Sequence, residues 1–325
     1  MKLFINHVCK RLKEESLVQF VWRTGRFFCY RYLKAKTDLR FLIKKASLSK
    51  SVFVKNIQDS KMVVNLNDEG LARDLVLSNI REPFSTETMR KELRKGNVVI
   101  DIGANIGYYA LMESRLVGNK GKIYAIEPVP KNFKLLSYNV KLNNYKNIKL
   151  FNLAIGEKRK KEKMHISTHH NRCSMIDDGS KFIGSIMVKT ETLDNFIEGK
   201  KWPDLIRMDT EGYEYEIIQG MKKILKTEKP LKIFIEIHPT IIKKKKTIKL
   251  LTTLKEAGFQ VKSAAWEPTP FLIGEGGIMK KAFDFFSNKI NTPNLSPGFF
   301  KTNIDKLKDL LATSETACHV FFERK

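Results

Sequence analysis

The stretch Val98–Tyr109 reads VVIDIGANIGYY and indicates the fold of the chain. Its apolar start predicts a buried β-strand, its glycines predict a tight turn, and the apolar pattern that resumes afterwards predicts an α-helix. In an open parallel sheet, ligands bind beyond the carboxyl ends of the strands. The small and polar residues at this end are Asp101, Gly103, Asn105 and Gly107. Glycine allows close backbone approach and the N–H groups of a helix start can receive a carboxylate, so we expect a ligand site here.

The segments that follow alternate between strand-like and helix-like patterns. Buried strands are predicted at 97–103, 122–128, 148–156, 204–212 and 231–239, with helical patterns between them. Continuous apolar strands that alternate with helices are typical of a parallel sheet covered on both faces. The sequence therefore predicts an α/β fold.

A carboxylate on the second predicted strand indicates what kind of ligand the turn holds. Glu127 follows Gly107 by twenty residues, and a carboxylate there can accept hydrogen bonds from both hydroxyls of an adenosine ribose. A nicotinamide dinucleotide site would have glycine in place of Asn105, because the backbone must approach a pyrophosphate. The pattern G-x-N-x-G therefore favours a nucleoside without pyrophosphate. S-adenosylmethionine (SAM) is the candidate, and Asp101 suits its cationic part.

Several blocks in a fixed order resemble the FkbM family of SAM-dependent methyltransferases. They are VVIDIGANIGYYAL (98–111), GKIYAIEPVPKNFKLLSYNVKLNN (121–144), NLAIG (152–156), TLDNFI (192–197), PDLIRMDTEGYEYEIIQGM (203–221) and IFIEIHP (233–239). The resemblance covers roughly residues 60 to 265, and the order of the blocks is more specific than any one of them. Residues 1–50 and 267–300 lie outside it, and we expect them to determine the substrate.

The resemblance implies both a fold and a set of cofactor-binding residues. The fold is a class I methyltransferase (Rossmann-like) sheet, seven-stranded and mostly parallel, with helices on both faces. The activity is usually methylation of a hydroxyl on a sugar or natural product. The residues it implies are Asp101, Gly103, Asn105 and Gly107 at the methionine end of SAM, Glu127 at the ribose and Ala154 near the adenine.

Candidate catalytic residues lie at the ends of the fourth and fifth predicted strands. They are Asp209 and Glu211 in MDTEG, and Glu236 and His238 in EIHP. Residues two apart on a strand point to the same side, so adjacent parallel strands would bring all four together. His238 has an ordinary pKa suited to a general base. The roles left open are a divalent metal site built from the carboxylates and imidazole, a structural hydrogen bond for His238, and a helix-dipole contact for Glu211.

Residues 1–50 are predicted to form a basic helical extension. They combine thirteen Lys and Arg with three acidic residues and many aromatic ones, which predicts two or three basic amphipathic helices. Either these helices pack on the main domain as a cap or they contact an anionic membrane. We assign 51–96 to a hairpin and helices, and 97–325 to the SAM-binding domain with a substrate-side insertion at about 267–300.

Net charge, hydropathy and cysteine pattern limit the possible locations and partners of the protein. The net charge of +25 favours nucleic acid, an anionic membrane or acidic glycans as partners. No window reaches the about 18 apolar residues of a membrane-spanning helix, and the start MKLFINHVCKRLKEE does not resemble a secretory signal. The four cysteines form no C-x-x-C pair, so neither disulfides nor structural zinc are expected. We expect a cytoplasmic protein, with peripheral membrane contact through residues 1–50 left open.

Three functions compete at this point. The first is an O-methyltransferase that acts on a small molecule, glycan, glycolipid or related natural product. The second is an RNA methyltransferase, which the charge favours. The fourth predicted strand ends in DTEG, however, and lacks the Asn/Asp-Pro-Pro-Tyr motif that grips a base amino group. The third is a non-catalytic binding protein on the same scaffold, which the retained polar residues disfavour. The sequence leaves the oligomeric state open.

Overall fold

The computed structural model describes residues 17–167, 172–179, 182–267, 281, 298–314 and 316–325. Its strands are β1 (Val52–Ile57), β2 (Ser60–Asn65), β3 (Val98–Ile102), β4 (Lys122–Ile126), β5 (Ile148–Phe151), β6 (Ala154–Ile155), β7 (Lys160–Ser167), β8 (Phe182–Glu191), β9 (Leu205–Met208), β10 (Leu231–Ile237), β11 (Gln260–Trp266), β12 (Gly298–Phe300) and β13 (Cys318–Arg324).

The helices lie between these strands and before them. They are α1 (Leu17–Ser47), α2 (Glu69–Leu77), α3 (Pro83–Glu92), α4 (Tyr108–Val117), α5 (Pro130–Leu142), α6 (Leu193–Phe196), α7 (Glu214–Gln219), α8 (Lys222–Lys226), α9 (Pro239–Ile242), α10 (Lys244–Glu256) and α11 (Ile304–Leu311).

The main sheet has eight strands in the order β12-β11-β13-β10-β9-β3-β4-β5. The five neighbouring strands β10, β9, β3, β4 and β5 are parallel to one another. Strand β13 is antiparallel to both β10 and β11. The predicted α/β fold with a mostly parallel sheet is confirmed, with eight strands in place of seven. The additional strand is β12, which pairs with β11 at the edge of the sheet. Sequence patterns missed it because three residues are too few to show a period.

Helices cover the sheet on both faces because the central strands are apolar throughout. All residues of β3 and β9 are buried. On one face Val99 and Ile123 pack with α4, α5 and the β1–β2 hairpin. On the other face Ile100 and Ile206 pack with α7, α10 and α11. Two hydrophobic layers therefore hold the strand ends in a fixed position.

The chain reverses direction across the sheet at β3. From β3 it runs to β4 and β5 on one side, and later to β9 and β10 on the other. Such a topological switch point leaves a crevice outside the carboxyl ends of the strands. A smaller sheet of order β6-β8-β7 stands beside that crevice, built mainly from the long hairpin of β7 and β8.

The described part of the basic N-terminal stretch is a single helix, α1, where sequence patterns predicted two or three helices in residues 1–50. Residues 17–47 contain no proline and one glycine, so nothing in them stops a helix. Among the described residues, no helix combines the length and the apolar character needed to cross a bilayer.

Candidate functional site

The turn after β3 is in close contact with the end of β9. Gly103 has a φ of +83°, and a Cβ built on it would lie 1.9 Å from the carbonyl oxygen of Asp209. Only glycine fits this contact, which brings the two central strand ends together. Gly107, with a φ of +100°, is the N-cap residue of α4. The glycines of the turn therefore set the position of the helix start relative to β9.

Glu127 fixes the other side of the turn. Its Oε2 accepts the backbone N–H of Asn105 at 2.9 Å and its Oε1 accepts that of Val129 at 2.8 Å. The side chain of Asn132 also hydrogen-bonds Glu127. Burial raises the pKa of this carboxyl from 4.5 to about 7, although those donors favour the charged form. Because a carboxylate accepts about four hydrogen bonds, one acceptor position is left for a ligand hydroxyl.

A pocket occupies the crevice at the switch point. It contains about 830 Å³ of unfilled space, including its open mouth. Its walls include Gly103, Asn105, Glu127, Ala154 and Asp209. The structure thus brings most of the predicted cofactor-binding residues to one cavity, and their roles stay predictions.

Asp101 lies beneath this pocket and has a partner of its own. Arg207 on β9 donates from one guanidinium nitrogen to Asp101 Oδ1 at 2.9 Å and from the other to Asp209 Oδ2 at 2.8 Å. The guanidinium also stacks on Tyr109, 3.9 Å from the ring centre. Arg207 lines the pocket, whereas Asp101 is fully buried and its Oδ2 accepts no hydrogen bond from the residues that the structure describes. The predicted contact of Asp101 with a cationic ligand therefore competes with an existing ion pair.

The predicted catalytic residues are close together at the strand ends. The Nε2 atom of His238 lies 3.5 Å from Glu211 Oε2 and 3.6 Å from Glu236 Oε1. Ligand-type atoms of Asp209, Glu211 and His238 all lie within 4.8 Å of one another. Asp209 and Glu211 also line the pocket.

The reason for this proximity differs from the predicted one. Strand β9 ends at Met208, so Asp209 and Glu211 belong to a turn and do not share a strand face. Glu211 has a φ of +51°, a left-handed conformation that costs a non-glycine residue on the order of 1–3 kcal/mol. His238 likewise follows β10 and caps α9. The turn, not strand alternation, directs Glu211 toward His238.

Electrostatics distinguish the members of this cluster. Burial disfavours a charged His238, but the carboxylates of Glu236, Glu214 and Glu211 outweigh burial and raise its pKa well above 6.5. An imidazolium has no free lone pair, so the arrangement does not favour His238 as the general base. Burial raises the pKa of Glu211 to about 8, against the opposing effect of His238. Among these groups, Glu211 is the better candidate base near neutral pH.

Sequence patterns did not predict four charged residues of the site. They are Glu82, Glu113, Arg207 and Glu214. Glu82 accepts the hydroxyl of Tyr109 at 2.8 Å, and Glu214 accepts Nδ1 of His238 at 3.2 Å. The signal for Arg207 was a charge inside an apolar strand, LIRM, since a buried cation requires a partner. The helix patterns carried a similar signal at Glu113 and Glu214, both fully buried.

A solvated loop is the sequence-based expectation for His165, His169 and His170, which have no carboxylate or cysteine set with ligand spacing nearby. His165 pairs with Ser185 in the β7–β8 hairpin, and its ring lies 4.8 Å from that of Phe182. His169 and His170 lie outside the described residues, as does most of the predicted insertion at 267–300.

The sheet order and the pocket at its switch point are those of a class I methyltransferase fold. Residues 101–261 match the family model described as the methyltransferase FkbM domain. Residues 101–261 therefore resemble a methyltransferase domain of the FkbM family, as the order of the sequence blocks indicated.

Curated relatives match over a short region. A protein-L-isoaspartate O-methyltransferase from Methanosarcina mazei is 42% identical over 57 residues, which is 18% of this chain and 24% of that protein. One from Methanothrix thermoacetophila is 30% identical over 59 residues, or 18% of this chain and 28% of that protein. The chain thus spans about a quarter of the length of these relatives.

Solved structures with a similar fold are distant in sequence. M. jannaschii TYW2 in complex with AdoMet has 14% identity and a TM-score of 0.41, over 86% of this chain and 89% of that one. Precorrin-6y C5,15-methyltransferase from Geobacter metallireducens has 15% identity and a TM-score of 0.40, over 75% of this chain and 88% of that one.

Proposed function

We propose that this protein is a SAM-dependent methyltransferase that transfers a methyl group to a hydroxyl oxygen of a glycan, glycolipid or related natural product. The observation that carries the proposal is Glu127, a buried carboxylate with acceptor capacity left on the pocket wall. Asp209 and Glu211 open onto the same pocket, beside Glu236 and His238. One cavity thus offers a ribose acceptor and a candidate proton acceptor.

The residues fit SAM by the chemistry of their donors and acceptors. Backbone N–H groups at the start of α4 suit a carboxylate, and Glu127 suits a ribose hydroxyl. Ala154 on the pocket wall offers an apolar contact for a base ring. When bound, SAM supplies an already activated methyl group on its sulfonium.

The protein's part in the reaction is to position the acceptor oxygen and to take its proton. Orientation of this kind is worth up to about 7–11 kcal/mol of the barrier. We assign the proton to Glu211, whose carboxylate faces the pocket and whose pKa of about 8 matches a general base. Asp209 and Glu236 act on the acceptor hydroxyl by charge, and His238 holds the carboxylates in place.

The test is transfer of label from radioactive SAM to fractionated glycan, lipid and RNA pools. We expect alkali-stable label in the glycan or glycolipid fraction, because a methyl ether survives mild base and a methyl ester does not. Glu211→Gln should lower transfer by about 10²–10⁴-fold while SAM affinity stays within a few-fold. The exposed Glu256→Gln is the matched control. Label confined to RNA, or absence of SAM binding, would contradict the proposal.

We also propose that α1 lies on an anionic membrane surface. One side of the helix, with Leu33 and Phe41, is buried against the domain. The opposite side carries a stripe of half-exposed apolar residues: Val21, Phe28, Tyr32, Leu39 and Ile43. Residues 17–47 contain eight Lys and Arg and one Asp. A basic helix with a free apolar stripe is typical of interfacial binding, in which each basic residue contributes about 1 kcal/mol.

Vesicle sedimentation tests this contact. The full chain should bind phosphatidylcholine vesicles that contain phosphatidylserine, and bind pure phosphatidylcholine vesicles far more weakly. The double variant Phe28→Ser/Leu39→Ser should lose binding, while Ile183→Ser, an exposed apolar position on β8, should not. Equal binding to both vesicle types, or to neither, would refute the membrane contact.

A further inference from the structure

Carboxylates at the ends of β9 and β10 surround the imidazole of His238. Ligand-type atoms from Asp209, Glu211 and His238 lie within 4.8 Å of one another. Around an ion with bonds of about 2.1 Å, octahedral ligand atoms are about 3.0 to 4.2 Å apart. The separation of 3.5 Å between His238 Nε2 and Glu211 Oε2 falls in that range.

The orientation of His238 is set from behind. Its Nδ1 lies 3.2 Å from Oε1 of the fully buried Glu214, and the imidazole side chain is only 10% exposed. Glu214 Oε1 is fixed in turn by the backbone N–H of Gly212 at 3.1 Å. A histidine whose Nδ1–H is held by a carboxylate presents Nε2 outward, which is the usual arrangement behind a metal-ligating imidazole. Here Nε2 is directed at Glu211 and Glu236.

The facing oxygens are available to a ligand. Asp209 uses Oδ2 for Arg207, at 2.8 Å, and its Oδ1 accepts no hydrogen bond from the described part of the chain. Within that same part, neither side-chain oxygen of Glu211 accepts a hydrogen bond. Glu211 nevertheless holds a left-handed backbone conformation, with a φ of +51°, that directs it to this position. Backbone strain of this kind persists where the surroundings require it.

We infer that Asp209, Glu211 and His238 form a binding site for one divalent cation of the manganese or magnesium class, on the wall of the pocket. This inference rests on the proposed function, because it places the cation where the acceptor hydroxyl would bind. A cation there would take the place of the Nε2 proton of His238, lower the pKa of a bound hydroxyl and orient it, and the carboxylate oxygen of Glu211 that does not bind the cation would accept the hydroxyl proton. The site thereby favours acceptors with two adjacent oxygens that can chelate the ion.

The ligand set favours manganese as the probe. Carboxylate oxygens suit magnesium and manganese, while an imidazole nitrogen adds affinity for the later ions of the first transition row. Two carboxylates and one imidazole, open on the pocket side, leave positions for water or for substrate oxygens. Magnesium should bind the same site more weakly, because it prefers oxygen ligands alone.

Titration of the chelator-treated full-length chain with MnCl₂, followed by the electron paramagnetic resonance signal of free Mn²⁺, tests the inference. We expect saturable binding of one Mn²⁺ per chain. Glu211→Gln and His238→Ala should each weaken it by at least about tenfold. Glu211→Gln is isosteric and its side chain is 21% exposed, so it is the variant least disturbing to the fold.

Matched controls replace the same residue types elsewhere. Glu198→Gln removes a carboxylate that is 63% exposed, and His165→Ala removes an imidazole on β7. Both should bind Mn²⁺ like the unmodified chain. Absence of saturable binding, or equal affinity in the ligand and control variants, overturns the inference. Calorimetry with SAM on the same metal-free samples separates the outcomes: SAM binding without Mn²⁺ binding refutes the metal site alone, and Mn²⁺ binding without SAM binding refutes the proposed function.

Discussion

Replacing Glu127 by glutamine should weaken SAM binding while leaving the fold intact. Three donors already occupy the carboxylate, so it has capacity for about one ligand hydroxyl. A hydrogen bond to a charged group contributes about 1.5–3 kcal/mol. Its loss corresponds to a rise in the SAM dissociation constant of about 10- to 150-fold. Isothermal titration calorimetry on Glu127→Gln and on the exposed control Glu256→Gln measures this directly.

The same residue predicts a pH dependence. Burial raises the pKa of Glu127 to about 7 in the unliganded protein, and a donating hydroxyl favours the ionised form. SAM affinity should therefore rise as pH increases through about 7 and level off above it. In Glu127→Gln this component should vanish. Titration of SAM itself is common to both proteins and cancels in the ratio of their affinities.

As pH rises, the stability of the unliganded protein should change in the direction opposite to that of the SAM affinity. Since the folded pKa lies above the unfolded value of about 4.5, the folded state binds more protons between those values. Stability contributed by this group is present below about pH 4.5 and is lost as pH rises to about 7, by on the order of 3 kcal/mol. Glu127→Gln should therefore be no less stable than the unmodified chain at pH 8. If the SAM affinity of Glu127→Gln stays within about threefold of that of Glu256→Gln across this pH range, Glu127 does not bind a hydroxyl of SAM.

The remaining predictions concern the buried charges and the central turn. Arg207→Met leaves the buried Asp101 and the partly buried Asp209 without their cation and should lower the free energy of unfolding in urea by about 3–5 kcal/mol; a loss below about 1 kcal/mol would contradict the ion-pair assignment. Burial raises the pKa of Glu113 well above 4.5, so stability falls as pH rises from there, and Glu113→Gln should be more stable than the unmodified chain at neutral pH but equal to it near pH 4. Gly103→Ala places a Cβ against the carbonyl of Asp209, whereas Gly199→Ala, with a φ of +71°, meets no atom of the described residues within 4 Å. Thermal unfolding should show a larger loss for the first, and equal losses would mean that the turn relaxes.

The sequence predicted the parts of the site that depend on local pattern. The Gly103 turn and Glu127 follow their strands directly, and parallel strands place their carboxyl ends at one edge. It could not predict that Arg207 pairs with Asp101, because that contact requires β3 and β9 to be neighbours although they are about 100 residues apart. The conformation of Glu211 was equally hidden, since a left-handed glutamate is set by the packing of its turn.

Helix α3 and the two flanks of the predicted insertion contact each other. Glu267 accepts the backbone N–H groups of Phe84, at 3.2 Å, and of Ser85, at 2.5 Å, in the first turn of α3. Phe299 packs edge-on against Phe84, with ring centres 5.1 Å apart. Glu267 and Phe299, which flank 268–297, therefore both contact the start of α3, almost 200 residues earlier in the chain. A chimera that exchanges 268–297 between relatives to change the acceptor preference should therefore also exchange Phe84 and Ser85. Otherwise the exchanged segment loses the contacts of its flanking residues with α3.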